Sequence, residues 1–139
     1  MDPVQALGLT LTGVLWLVVS LQDLDDRLIS LGFLYLMVPA TVLYLDLGVG
    51  VLAVFVSYLF FAAWAWVTEG VSTGDVAMLL MYGLTTANTP VLGLQVLLFT
   101  AGSTIITVNQ LTAAEDIPFA PVFLISYLVT QTGHLWLLA

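Results

Sequence analysis

Asp23 and Asp75 are the residues on which hydrolytic chemistry can be built in this sequence. Two carboxylates that share a site do not ionise together easily. One keeps a proton and polarises a scissile carbonyl, while its partner takes a proton from the attacking water. Such a pair needs no metal, no cofactor and no nucleophilic side chain. Alternatives are few, because the 139 residues include no cysteine, one histidine and one basic side chain, Arg27. The lack of cysteine removes disulfides, thiolate nucleophiles and Cys-ligated metals, and a single His134 in an apolar run offers no ligand cluster for a metalloprotease. His134 reads as a helix-packing or interfacial residue.

Each aspartate also has an ordinary explanation. Asp75 follows Ser72, Thr73 and Gly74 and precedes an apolar run, where a carboxylate is stabilised by the start of a helix without doing chemistry. Asp23 opens an acidic stretch, Gln22-Asp23-Leu24-Asp25-Asp26-Arg27-Leu28-Ile29, which reads as a connector between two spans. If the first helix runs one turn further, Arg27 falls four residues on and on the same face, as in a surface ion pair. A third segment, Ile117-Pro118-Phe119-Ala120-Pro121, is locally only a rigid lead-in to a helix.

The elements that must position these residues belong in a bilayer. The chain is 61% hydrophobic and 7% charged, against about 45–50% and about 25% in soluble domains. Six apolar runs can be drawn, at 4–21, 29–45, 47–67, 76–88, 91–108 and 122–138. In lipid they must be helices, since open strands would leave backbone groups unpaired. The expected fold is therefore all-α, a polytopic membrane protein of about six transmembrane helices in a single domain over 1–139. The first run has no basic residue ahead of it and reads as a retained span rather than a cleaved signal. The fourth run, about 13 residues before Thr89-Pro90, covers only about 20 Å and sets Asp75 below the membrane surface. The Asn88-Thr89-Pro90 segment reads as a hairpin turn. Gly48, Gly50, Gly93 and Gly102 are expected at close helix contacts, and Trp64, Trp66 and Trp136 in interfacial belts.

Six spans put the three longer connections, 22–28, 68–75 and 109–121, on one face. That face carries Asp23, Asp25, Asp26, Glu69, Asp75, Glu115 and Asp116, leaving only Asp2 and Asp46 on the other. Arg27 shares it, which makes it cytoplasmic by the bias of basic residues toward that side. The net charge of −8 excludes nucleic acid, whose phosphates need clustered Lys and Arg, and favours a basic partner.

Taken in order, these segments resemble the type IV prepilin and preflagellin (prearchaellin) peptidases, membrane aspartyl proteases of the GxGD type. The family's first motif, Asp followed by Arg and Ile, is matched by Asp23, Arg27 and Ile29. Its Gly-x-Gly-Asp-Val-Lys motif is matched by Gly74, Asp75 and Val76, and its Pro-Phe-Gly-Pro run by Pro118, Phe119 and Pro121. Ser72 stands for the first Gly of the second motif, Ala77 for its Lys, Ser30 for a Pro after Ile29, and Ala120 for the Gly of the third. The Tyr-Asp pair and Pro-Ala-Leu run of presenilin-like proteases are absent.

The resemblance implies an aspartic endopeptidase with Asp23 and Asp75 as the catalytic pair. Arg27, Ser72, Gly74, Pro118 and Phe119 support it, and no cofactor or metal is required. It implies cleavage of the basic leader of prepilin- or preflagellin-like substrates at the cytoplasmic membrane face, in pilus or flagellum biogenesis of archaeal type. Asp25, Asp26, Glu69, Glu115 and Asp116 would attract that leader. Bifunctional relatives carry an additional N-terminal region linked to N-methylation that has no counterpart here, so the resemblance implies a peptidase without N-methyltransferase activity. The alternative is a non-catalytic membrane protein, such as a small transporter component, whose aspartates handle protons or a cation.

Overall fold

A computed structural model describes residues 2–26, 31–45, 48–67, 73–111 and 119–138. Those residues form seven helical segments and no strand: α1 (Pro3–Asp26), α2 (Leu31–Tyr35), α3 (Met37–Val42), α4 (Val49–Val67), α5 (Thr73–Thr85), α6 (Pro90–Leu111) and α7 (Ala120–Leu138). The chain starts with a reciprocal cap. The Gln5 amide donates to Asp2 Oδ1 at 2.8 Å and the Asp2 amide to Gln5 Oε1 at 3.4 Å, while Pro3 takes the first helical position, where its missing N–H costs nothing.

Three boundaries differ from the sequence expectation. Helix α1 runs on through Asp26, so Gln22 to Asp26 are helical rather than part of a connector. The fourth run keeps its length of 13 residues but begins at Thr73, which puts Asp75 inside the first turn. The second run is two helices that share one rod and break at Leu36. Pro39 accounts for the break: its ring crowds the carbonyl four residues back, that of Tyr35, and it has no N–H to donate there.

Helix α5 is the hub. It packs against α4, both halves of the broken rod and α7, while α1 packs on α7 and the broken rod and α6 lies on α7. At the centre Trp16 stacks on Phe123 with ring centroids 5.6 Å apart, and Phe123 meets Tyr82 at the same distance. Trp16, Val19, Leu34, Met37 and Tyr82 are wholly inaccessible.

The close approaches are mostly not at the glycines expected. Among the described residues nothing lies within 4 Å of where a side chain would begin on Gly48, Gly50 or Gly102, whereas at Gly83 a Cβ would run into the Tyr58 ring and at Gly8 into Leu43 and Ala40. Gly93 does fit the expectation, against Thr86. By length and composition α1, over Pro3–Asp25, and α6, over Pro90–Val108, can cross a membrane. Leu31–Val42, Gly50–Trp64 and Gly74–Thr85 are shorter apolar helices.

Candidate active site

The face of α1 that carries Trp16, Val19 and Ser20 is buried, and one turn further Asp23 is buried with it, 8% exposed. Its Oδ2 accepts a hydrogen bond from the Ala120 amide at 3.1 Å. Ala120 is the first residue of α7, and the opening amides of a helix have no partner inside it. A carboxylate from α1 therefore caps a helix 97 positions away, and both the N–H and the helix dipole favour a negative group there. Phe119, whose carbonyl accepts from the Phe123 amide at 3.1 Å, packs half-buried against the core beside this junction. The first and third sequence segments thus meet.

Asp75 reaches the same end of the bundle by a parallel route. It precedes Tyr82 by seven residues, as Trp16 precedes Asp23, and seven residues are two turns, returning to within about 20° of the same face after about 10 Å. Trp16 and Tyr82 lie at one level because both meet Phe123.

Side-chain contacts fix the directions. Asp23 lies by Ala120, Trp16 by Phe123 and Leu9 by Tyr127, so α1 and α7 are antiparallel. Tyr82 lies by Phe123 and Thr85 by Gln131, so α5 and α7 are parallel. Travelling from Trp16 to Asp23 and from Tyr82 to Asp75 is therefore travel the same way. Two carboxylates stand on two rods that share α7, both about two turns from one aromatic layer. Asp75 is half-buried, as is Gly74 before it.

Of the other candidates, Asp25 is exposed in the last turn of α1 at this end. Arg27, Glu69, Ser72, Glu115, Asp116 and Pro118 lie outside the described residues, and so does the side chain of Asp26. Ala77, where the resembled family carries Lys, is buried in the core at 7% exposure. A lysine there would have to bring its charge into an apolar interior, so the departure suits the packing. Among the described residues no group of three or more His, Asp or Glu is placed to hold a metal.

At the other end of α5 the structure holds a polar network that the sequence reading did not anticipate. The helix stops at Thr85 and its orphan carbonyls are taken up by side chains. Thr85 O accepts from Tyr44 Oη at 2.6 Å and from Gln131 Nε2 at 3.0 Å. Asn88 and Gln131 exchange two amide hydrogen bonds of 3.0 and 2.9 Å, and Trp16 Nε1 donates to Thr85 Oγ1 at 3.3 Å. The available signal was Asn88 and Gln131 themselves, amides in otherwise apolar runs. The Asn88-Thr89-Pro90 segment is a turn as expected, but it is also tied to α7.

No family model, curated protein or solved structure matches the chain.

Proposed function

We propose that this chain is a membrane-embedded aspartic endopeptidase that removes the basic leader of prepilin- or preflagellin-like proteins at the cytoplasmic face of the cell membrane, with Asp23 and Asp75 as its pair. The observation that carries this reading is the common level of the two aspartates, two turns from the Trp16–Phe123–Tyr82 layer on rods that share α7. The resemblance of the three segments supplies the substrate class.

Membrane embedding across about six spans is supported by what the rods expose. Phe60, Phe99 and Trp136 are each more than 70% exposed, and leucines and valines continue around them. A soluble surface of that kind would associate, whereas lipid covers it. Trp64 and Trp136, both exposed, suit interfacial belts.

In the proposed mechanism one carboxyl holds a proton and polarises the scissile carbonyl while the other deprotonates the water. The proton taken from water then passes to the departing amine. Asp23 Oδ2 is held by the Ala120 amide, which fixes the orientation of that carboxyl relative to α7.

The same bond favours a second reading, in which Asp23 is purely a cap and the chain is a non-catalytic transporter component whose Asp75 handles protons or a cation. Purified protein incubated with a basic-leader prepilin separates the two. Cleavage that is lost in both Asp23→Asn and Asp75→Asn is expected. Cleavage surviving in both variants removes the assignment, and none by wild type over several substrates favours the transporter reading.

A further inference from the structure

Between α1 and α7 runs a groove of about 420 Å³ lined by Leu9, Gly13, Leu17, Leu124, Leu128 and Leu135, among others. It is mostly apolar, with Thr10, Gln131 and Thr132 as its polar lining, and Val14, Leu17 and Leu128 are about half exposed. Along α7 it extends from Leu124 to Leu135, about 16 Å, and it ends about one turn, roughly 6 Å, from Ala120 and hence from the bond to Asp23. Its floor at Gly13 is flat: a Cβ there would lie 3.6 Å from the Tyr127 ring, an ordinary contact. The volume takes the side chains of one helix face, not a whole helix.

We infer that this groove seats the apolar helix of a polypeptide whose basic flank lies beside Asp25, and that it thereby delivers the bond at the junction of flank and helix to Asp23 and Asp75. The inference rests on the peptidase reading and adds where the membrane part of the substrate binds. Charge selects the occupant. Buried Asp23 and exposed Asp25 stand at the groove's Ala120 end in a chain of net charge −8 with one basic residue. A second copy would bring the same acids to that end, and an anionic lipid headgroup would be repelled from it. A helix preceded by Lys or Arg satisfies both the apolar length and the charge.

The test uses the full chain in lipid vesicles and two probes, a polypeptide with a basic flank and a following apolar helix, and a soluble peptide spanning the same cut without the helix. Gly13→Leu fills the floor. The expected result is a KM raised about ten-fold, equivalent to about 1.4 kcal/mol, for the helix-bearing probe, with cleavage of the soluble peptide unchanged, because the groove supplies binding and not chemistry. In Asp75→Asn, a photoreactive benzophenone side chain in place of Leu128 is expected to crosslink to the probe's apolar helix. Equal losses on both probes would mean a folding effect and overturn the groove, as would the absence of a crosslink. A crosslink from position 128 to the probe's helix, together with a wild-type protein that cleaves neither probe, keeps the groove and removes the peptidase reading.

Discussion

The two ends of α5 are built from different chemistry. At its C-terminus the polar groups are neutral, and Thr85, Asn88, Gln131 and Tyr44 close on one another in amide and hydroxyl hydrogen bonds. At its N-terminus Asp75 lies at the level of Asp23, whose carboxylate bridges to another helix. A neutral network that satisfies its own donors and acceptors is what a helix needs in order to stop inside a bundle. Carboxylates kept at the opposite end are costly in an apolar chain and are not needed for that purpose. The contrast assigns stability to one end and chemistry, on the reading proposed, to the other.

Substitutions that keep shape but change charge or hydrogen bonding test this division. The largest effect is expected for Asp75→Asn, a loss of leader cleavage of about 10³-fold or more with an unfolding midpoint close to wild type. If the variant fails to fold while traces of soluble protein still cleave, Asp75 belongs with the structural end. Next comes Gln131→Leu, which strands the Asn88 side-chain amide and leaves Thr85 O with the Tyr44 hydroxyl alone, and should cost about 2 kcal/mol in a detergent unfolding titration. Asn88→Leu in the same background should cost less than it does alone, because the two amides serve each other. Cleavage of a soluble peptide, which does not use the groove that Gln131 also lines, should hold per folded molecule in both.

The smallest effect on stability sharpens the role of Asp23, which sits on both sides of the comparison. Asp23→Asn retains an acceptor for the Ala120 amide and should unfold like wild type, while Asp23→Ala should lose about 1 kcal/mol, the usual worth of such a cap. Neither should cleave. Equal stability of the two variants would show that the bond to α7 contributes nothing measurable.

Much of the fold was legible in the sequence, since hydropathy marks each apolar run, although the cap formed by Asp2 and Gln5 went unread. The end of α1 was not legible, because Gln22-Asp23-Leu24-Asp25-Asp26 is polar enough to read as a loop while its first carboxylate turns inward to a partner from α7. The break at Leu36 was written in Pro39 and went unread. The glycines show why composition alone misplaces contacts: Gly83 meets Tyr58 because α4 crosses there, while Gly48 and Gly50 face no neighbour within 4 Å among the described residues. For the site, the sequence offered both aspartates and Phe119. Their common level depended on Trp16, Phe123 and Tyr82 meeting across three helices, which no spacing within one helix can state.

The bond between Asp23 and the Ala120 amide joins residues 97 positions apart, and it orders events during synthesis. While the ribosome is still extending the chain, α1 has been made but α7 has not, so Asp23 has no Ala120 amide to hold it. Packing of α7 against α1 is the step that gives this acid its amide partner and orients it. On the reading proposed, a nascent chain is thereby kept inert until its sixth rod is in place.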